Sequence, residues 1–420
     1  MRVLWFCNVP TYDVWQMDRG DEPHHGGWID SLKEAMLATY PELELGIAFP
    51  SLRLCESISK GRVTFFPILR PSPLIRVINN WRHVTDPQST LSRCTRIVSQ
   101  YSPDIVHIFG TEMIFGGIIP KVTVPTTIHL QGLLTIYSRM WFRGFSPWRL
   151  LQNQDPVDFL LGRGYIHDYF RIKKAACRER EILRTSSCVM GRTDWDRRVS
   201  SFLAPHAYYY HCDETLQPEF WANKWQRKHR QQRVLFSTFN GAIYKGLETL
   251  LEAFALVRTR LSEDVILRIA GIGKESKIVS MIHKVPNIKR PDTNVFYLGS
   301  VKAAVIASEL ADADVFVHPS HIDNSPNSVC EAMLVGTPVV STNAGGIPSL
   351  VINNEQGLLV QDGDPLAMAG AISELLMSDN LCDSLSQKAR ARAIARHNPA
   401  RITRTIYSMY TRMSKSAKSA

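Results

Sequence analysis

The second half of the chain alternates short apolar runs with segments whose apolar residues recur every three or four positions. One such segment places apolar side chains at Leu247, Leu250, Leu251, Phe254 and Val257. Residues at this spacing share one face of a helix, whereas the short β-branched runs around it are typical of buried strands. The pattern predicts helices over 246–261 and 302–310, and strands over 234–237, 265–270, 295–298, 314–318, 338–341 and 357–360.

The first half shows the same alternation less regularly. It predicts strands over 3–7, 43–49, 63–66, 105–108, 126–130 and 188–191, and helices over 28–40, 90–101, 168–183 and 194–203. The polar, aromatic stretch 208–233 is expected to connect two domains, and 399–416 to form a basic amphipathic helix. Strands and helices that alternate with short connections favour parallel sheets, whose ligands bind beyond the carboxyl ends of the strands.

The most informative stretch is 313–351, ADVFVHPSHIDNSPNSVCEAMLVGTPVVSTNAGGIPSLV. We expect Ser325 to cap a helix and Pro326 to be its first residue, where a missing N–H costs nothing. The following N–H groups, those of Asn327, Ser328 and Val329, would then point out of the helix end. Together with the helix dipole they would form a site for a phosphate group.

Two carboxylates accompany this predicted anion site. Asp323 lies in the loop before the helix, and Glu331 follows it after seven intervening residues. Asn327 and Glu331 are four residues apart and so share a helix face. The arrangement suits a ligand that is half phosphate and half polyol, but a capped helix with a solvated Glu331 is the alternative.

This segment, D-NSPNSVC-EAM-LVGTPVV, resembles the retaining nucleotide-sugar glycosyltransferases of the GT-B fold, family 4. Their signature is a carboxylate, seven residues, a glutamate in EAM and a G-x-P-V-V strand. The family usually has glutamate at the first position, where this chain has Asp323. The shorter side chain keeps the charge and reaches about one methylene less.

The resemblance implies an α/β fold with two Rossmann-like doubly wound domains that face a central cleft, and a final helix that crosses back to the first domain. It divides the chain into an acceptor-binding domain (1–212), a nucleotide-sugar donor-binding domain (213–396) and the basic C-terminal helix (397–420).

Several donor-side roles follow from the same resemblance. The motif KGLETLLEAF matches a family pattern whose lysine, here Lys245, contacts the diphosphate, and Asn240 stands where the family often has an arginine. Glu331 is expected to bind the ribose and Asp323 the donor sugar. The other expected donor contacts come from Gly26, Gly27, Leu298, Asn327, Ser328 and Val329.

Further candidates lie in the first half. His129 ends an apolar strand, where the family places a histidine near the donor sugar, although a structural histidine is the alternative. Glu112, Arg192 and Trp141 are candidates for the acceptor side. Arg192 could equally form a structural ion pair with Asp194 or Asp196.

The net charge is +10, and the pI is about 9.2. Nucleic acid, an anionic membrane or phosphorylated substrates could each explain this basic balance. The chain lacks zinc-finger spacing and RNA-binding signatures, so we expect no nucleic-acid partner. Interleaved aromatic and basic residues at 137–151 suit a membrane interface or a lipid-linked acceptor, and also suit an ordinary, partly buried loop.

The eight scattered cysteines favour reduced thiols over a disulfide or metal framework. No apolar run is long enough to span a bilayer, and the N-terminus is expected to be a buried strand rather than a signal peptide. These features predict a cytoplasmic protein, with the inner membrane face as a candidate peripheral site.

We therefore expect a metal-independent, retaining hexosyltransferase without a cofactor. It would use a nucleoside diphosphate sugar and a glycan or lipid-linked acceptor in the synthesis of cell-surface polysaccharide or glycolipid. Its catalytic residues would be Asp323, Glu331, Lys245 and His129. The alternatives are a nucleotide-sugar epimerase or hydrolase of the same fold, and a non-catalytic nucleotide- or glycan-binding protein.

Overall fold

A computed structural model describes residues 1–20, 27–84, 88–228, 230–261, 264–284 and 294–419, with side chains to Ser416. Contacts divide the chain into two units. Unit 1 contains residues 1–139, 150–215 and 398–420, and unit 2 contains 140–149 and 216–397. No helix in the described part of the chain is long and apolar enough to cross a membrane.

The sheet of unit 1 is parallel except at one edge. Its strands are Arg2–Phe6 (β1), Glu44–Ser51 (β2), Ile58–Lys60 (β3), Val63–Leu69 (β4), Ile105–Phe109 (β5), Thr126–His129 (β6), Cys188–Gly191 (β7) and Tyr208–His211 (β8). Their order is β3-β4-β2-β1-β5-β6-β7-β8, and only β3 runs antiparallel to its neighbour. The order reverses direction at β1, which makes the ends of β1 and β5 the expected place for a ligand crevice.

Helices flank this sheet, and most of them bury apolar side chains. They are Tyr12–Arg19 (α1), Gly27–Thr39 (α2), Pro73–Trp81 (α3), Gln88–Tyr101 (α4), Leu134–Met140 (α5), Pro147–Gln152 (α6), Pro156–Leu160 (α7), Tyr165–Thr185 (α8) and Asp194–Leu203 (α9). Two apolar clusters of buried residues cover the faces of β1. Trp5 belongs to one cluster and Phe6 to the other, because successive side chains of a strand point to opposite faces.

Unit 2 has an entirely parallel six-stranded sheet in the order β11-β10-β9-β12-β13-β14. The strands are Arg233–Thr238 (β9), Val265–Ala270 (β10), Val295–Gly299 (β11), Val315–His318 (β12), Val339–Thr342 (β13) and Leu358–Val360 (β14). The helices are Pro218–Ala222 (α10), Leu247–Leu261 (α11), Lys277–His283 (α12), Ala303–Asp312 (α13), Asn327–Val335 (α14), Ile347–Leu350 (α15), Pro365–Met377 (α16), Asp379–Arg396 (α17) and Pro399–Ser419 (α18), the last of which packs in unit 1.

Each strand and helix predicted from the sequence is present, with ends shifted by up to three residues. The stretch expected to connect the domains contains a strand, β8, which pairs with β7 at the sheet edge. Residues 140–149, assigned above to the first domain, pack in unit 2. All eight cysteines are free thiols.

The final helix α18 returns to unit 1, as expected, and packs against α2 and β5. Its Tyr410 is fully buried, and the hydroxyl lies 3.0 Å from Trp5 Nε1 and 2.6 Å from His107 Nδ1. An indole N–H can only donate, so the Tyr410 oxygen accepts from Trp5 and can donate to His107. Burial lowers the pKa of His107 to about 3, which keeps this imidazole neutral and able to accept.

We predict that Tyr410→Phe lowers the free energy of unfolding by about 1–3 kcal/mol, because it leaves the buried Trp5 N–H without an acceptor. Urea unfolding of the two proteins measures the difference. Tyr407→Phe is the matched control on the same helix, since the Tyr407 hydroxyl donates to Glu42 at an exposed site and should contribute about 0.5 kcal/mol or less. Equal losses in the two variants would contradict the importance of the buried network.

Candidate functional site

Three loops of unit 2 bring the predicted donor-binding residues together. β9 is followed by the loop 239–246, β12 by the loop 319–326 and β13 by the loop 343–346. β12 pairs in parallel with both β9 and β13. The three loops therefore begin side by side at the carboxyl edge of the sheet, where ligands of such sheets bind.

The loop after β9 owes its shape to Gly246. This residue has a φ of +74°, and a Cβ atom at its position would lie 2.1 Å from the carbonyl oxygen of Pro319. Only glycine tolerates both the left-handed conformation and the close approach. Lys245 precedes it in a short 3-10 turn, and the exposed Asn240 accepts a hydrogen bond from the N–H of Ala242 within the same loop.

Asp323 is the centre of a buried polar cluster. Its Oδ2 atom lies 2.5 Å from Lys245 Nζ and 3.1 Å from His318 Nε2, and its Oδ1 accepts from the N–H of Asn324 at 3.0 Å. The Asp323 side chain is 8% exposed, that of His318 5% and that of Lys245 17%. The cluster joins the loop after β9 to the end of β12.

The electrostatics of this cluster keep Asp323 ionised. Burial alone would raise the pKa of the carboxyl, but the Lys245 ammonium and the His318 hydrogen bond hold it well below its usual range. Burial lowers the pKa of His318 despite the neighbouring carboxylate. Since a carboxylate only accepts, the neutral His318 carries its proton on Nε2 and donates it to Asp323.

Helix α14 begins one residue later than predicted. Pro326, not Ser325, occupies the N-cap position, and no side chain caps the helix. The N–H of Val329 donates to the carbonyl oxygen of Pro326 at 3.1 Å, so it already has an acceptor within the first turn. In the described residues, the N–H groups of Asn327 and Ser328 have no protein acceptor, and two donors remain at this helix end.

Glu331 follows one turn further along α14. Asn327, Ser328 and Glu331 are half-buried, whereas Val329 is fully buried. This pattern places the first three on the accessible side of the helix, as the four-residue spacing of Asn327 and Glu331 predicts.

The glycine loop after β13 completes the arrangement. Gly345 has a φ of +56°, and a Cβ atom there would lie 2.0 Å from the carbonyl oxygen of Asp323. The N–H of Gly346 donates to that same oxygen at 2.9 Å. The backbone of Asp323 thus approaches this loop more closely than any residue with a Cβ atom would allow at Gly345.

Two further histidines lie at this edge, His318 and His321, and neither is among the residues predicted from the sequence. His321 is buried, with Nε2 2.6 Å from Glu248 Oε1 and Nδ1 3.5 Å from Asp362 Oδ2. Burial opposes its charged form, but the Glu248 hydrogen bond and charge, with help from Asp362, raise the pKa of His321. The run HPSH could have indicated them, because its polar residues lie at and directly after the end of a buried strand.

Residues 140–149 pack beside this edge. Trp141 and Phe145 are buried, and the Trp141 ring lies 5.7 Å from that of Tyr244, the residue before Lys245. A Cβ atom at Gly144, which has a φ of +81°, would lie 2.5 Å from Glu248 Oε1. The partly buried loop is therefore the better description of Trp141 and Phe145, and neither can insert into a membrane from this position.

In unit 1, His129 ends β6 and is almost fully buried. Burial, with the nearby His107 and Arg192, lowers the pKa of His129 well below its usual value. Within the described residues, neither ring nitrogen meets full hydrogen-bond geometry, although the Cys212 backbone is close enough to oppose the lowering of this pKa. A neutral imidazole is suited to bind a hydroxyl group.

Glu112 and Arg192 also follow strands of unit 1, β5 and β7. The Glu112 carboxylate accepts from Asn8 Nδ2 at 3.1 Å, and burial raises its pKa. The buried Arg192 guanidinium pairs with Glu214 at 2.5 Å and donates to the carbonyl oxygen of Gln131. Glu214 is thus an ion-pair partner of its side chain, while the Arg192 backbone N–H donates to Asp196 at 2.8 Å.

The remaining predicted donor contacts are Gly26, Gly27 and Leu298. Gly27 is buried and opens α2, while Gly26 lies outside the described residues. Leu298 is half-buried on β11, the edge strand of the unit 2 sheet.

Comparison with known proteins places this site in context. Residues 219–392, within unit 2, match the family described as glycosyl transferases group 1. The chain is 24% identical to the capsular polysaccharide biosynthesis glycosyltransferase CapM of Staphylococcus aureus over 181 residues, which are 41% of this chain and 44% of that protein. The matches span less than half the length of such relatives.

Solved structures are similar over nearly the whole chain. Sucrose-phosphate synthase of Thermosynechococcus elongatus has a TM-score of 0.72 at 16% identity and covers 99% of both chains. Anabaena HepE in complex with UDP-glucose has a TM-score of 0.61 at 16% identity and covers 98% of this chain and 99% of that one. The chain has the GT-B fold, and the expected fold class is confirmed.

We predict that Gly246→Ala lowers the thermal midpoint of unit 2 and weakens nucleotide binding, because the added Cβ collides with Pro319 and displaces Lys245 from Asp323. Gly241→Ala is the matched control in the same loop. Gly241 also has a positive φ, +81°, but none of the described residues has an atom within 4 Å of the added Cβ. It should cost only the backbone strain, about 1–2 kcal/mol. Calorimetric unfolding and nucleotide titration test both variants, and equal behaviour would contradict the steric argument.

Proposed function

We propose that the protein is a retaining glycosyltransferase that moves a hexose-type sugar from a nucleoside diphosphate sugar to an acceptor hydroxyl. The observation that carries the proposal is the convergence of Lys245, Asp323 and the start of α14 at the carboxyl edge of the unit 2 sheet. This edge lies in the part of the chain that matches the glycosyltransferase family. The UDP-glucose complex of HepE supports a nucleotide sugar as the donor.

Each donor group has a proposed partner in unit 2. The N–H groups of Asn327 and Ser328 bind the diphosphate at the positive end of the helix dipole. Glu331 accepts hydrogen bonds from the ribose hydroxyls. Asp323 orients Lys245 and accepts a hydrogen bond from a hydroxyl of the donor sugar, an acceptor-only role that suits its ionised state.

The chemical step breaks the bond between the anomeric carbon and the diphosphate oxygen and forms a bond to the acceptor oxygen on the same face. The acceptor proton leaves with the diphosphate, so atoms and charge balance. Negative charge grows on the leaving group, and Lys245 with the helix N–H groups stabilises it most in the transition state. We propose that these groups make a metal ion unnecessary.

The acceptor is proposed to be a growing glycan or a lipid-linked sugar of a cell-surface polysaccharide or glycolipid. In unit 1, His129, Glu112 and Arg192 are the proposed contacts to sugar or acceptor. Among these three, His129 is the best supported, because burial keeps its imidazole neutral at the end of β6, whereas Arg192 is already paired with Glu214. The free thiols and the net charge of +10 support a cytoplasmic location close to an anionic membrane.

A panel of UDP-, GDP- and ADP-sugars tests the proposal in two steps. The true donor should raise the thermal midpoint, since a ligand at 100 times its dissociation constant stabilises by about 2.7 kcal/mol. Incubation with glycan and lipid-linked acceptors should then give a product with the donor's anomeric configuration. Free sugar or an epimer formed without an acceptor would identify a hydrolase or epimerase, and protection without turnover would identify a binding protein.

We predict that Glu331→Gln reduces kcat/KM for the donor about ten- to a hundredfold, because it loses charge-assisted hydrogen bonds of about 1.5–3 kcal/mol. Steady-state kinetics at varied donor concentration measures the change. Glu374→Gln, at an exposed position on α16, is the matched control and should leave kcat/KM unchanged. Wild-type kinetics in a folded Glu331→Gln protein would remove Glu331 from the site.

We predict that Lys245→Ala lowers kcat more than it raises KM, because the lysine acts on charge that develops in the transition state. Lys284→Ala, at an exposed position after α12, serves as the control. Added Mg²⁺ should restore part of the lost kcat by replacing the missing positive charge, while EDTA should not affect the wild-type enzyme. A change in KM alone would show that Lys245 only positions the donor.

A further inference from the structure

Helix α3 of unit 1 exposes its apolar face to solvent, whereas an ordinary surface helix buries it. Its apolar face carries Leu74, Ile75, Ile78 and Trp81, all of them exposed, with Leu74 at 78%. None of the nine residues of α3 is buried. A helix that presents its apolar side outward indicates a partner that is itself apolar.

The neighbouring helix α7 extends the same surface. Trp81 Nε1 donates to the carbonyl oxygen of Leu160 at 3.0 Å, and Asn80 Nδ2 donates to that of Leu161 at 3.1 Å. Val157 and Leu160 are 64% and 70% exposed. We name this surface the apolar ridge, and define it as Leu74, Ile75, Ile78, Trp81, Val157 and Leu160.

The opposite face of α3 lines a cavity of about 350 Å³. Arg76, Asn79 and Asn80 contribute from α3, and their spacing puts them on the side away from the ridge. The cavity adjoins Pro50 and Leu69 near the carboxyl ends of β2 and β4, the edge at which ligands of a parallel sheet bind.

The cavity is strongly basic. Arg70, Arg76, Arg163 and Arg171 line it, and its lining in the described residues contains no aspartate or glutamate. Arg171 also pairs with Asp168 at 3.0 Å. A planar guanidinium group can donate two parallel hydrogen bonds to the oxygens of one phosphate. Four such groups around one cavity match a ligand with two or more negative charges.

We infer that this cavity binds the phosphate or diphosphate group of a lipid whose hydrocarbon chain lies along the apolar ridge. One helix, α3, provides arginine and amide groups on one side and apolar groups on the other, which matches the two ends of an amphiphile. The inference rests on the proposed function in one respect: the lipid would carry the sugar that accepts the transferred hexose. A soluble phosphorylated acceptor would fit the cavity, but it has no hydrocarbon chain that could cover the apolar ridge.

Three probes distinguish the contribution of the charged group to binding from that of the hydrocarbon chain. They are farnesyl diphosphate, inorganic pyrophosphate and farnesol, each titrated calorimetrically into the full-length protein. Farnesyl diphosphate should bind at least tenfold more tightly than pyrophosphate, and farnesol should bind weakly. Arg76→Gln and Arg163→Gln should each lower the affinity for farnesyl diphosphate and for pyrophosphate about tenfold or more. The double variant Leu74→Ser, Ile78→Ser should lower the affinity for farnesyl diphosphate by a similar factor and leave the affinity for pyrophosphate unchanged.

Arg198→Gln, at an exposed arginine of α9 in the same unit, is the control and should change neither affinity. All substituted side chains are exposed, so thermal midpoints should stay near that of the wild type. Nucleotide binding is measured on the same variants and should not change, which separates a failure of this inference from a failure of the donor site. Equal affinities for farnesyl diphosphate and pyrophosphate, displacement of farnesyl diphosphate by UDP, or indifference to the arginine variants would each overturn the inference.

Discussion

The buried carboxylate of Asp323 is the interaction on which the candidate site depends. Its side chain holds Lys245 and His318, and its main-chain oxygen accepts from Gly346. One residue thereby fixes the loops after β9, β12 and β13 relative to each other. Taking a carboxylate out of water costs several kcal/mol, so it requires close partners. Here an ammonium, an imidazole N–H and the N–H of Asn324 supply them.

Aspartate at this position changes what the carboxylate can reach. Its short side chain keeps the oxygens beside their own backbone, where Oδ1 accepts from the N–H of Asn324. Lys245 therefore extends to the carboxylate, and Gly246 lets the chain turn against Pro319 to bring it there. Asn240 in the same loop is exposed and uncharged, so Lys245 is the positive side chain that this loop brings to Asp323.

The same sheet geometry organises unit 1. His129 ends β6, and Glu112 and Arg192 follow β5 and β7; these three strands are neighbours in the sheet. Tyr410 of α18 packs in the adjoining core. Polar residues can collect there because the carboxyl ends of parallel strands meet at one edge. Helix α3 lies at the same end of β4 and turns its arginine-bearing face to the cavity.

The sequence by itself determined the strand and helix segments, the parallel character of both sheets and the motif around Asp323 and Glu331, because all of these depend on local periodicity and spacing. Tertiary structure alone decided that His318 and Lys245 share one carboxylate, that Arg192 pairs with Glu214 and that residues 140–149 pack in unit 2. It also moved the N-cap of α14 from Ser325 to Pro326, so that the helix begins at Asn327. These contacts join residues far apart in the chain or depend on burial, and neither distance nor burial is contained in a local pattern.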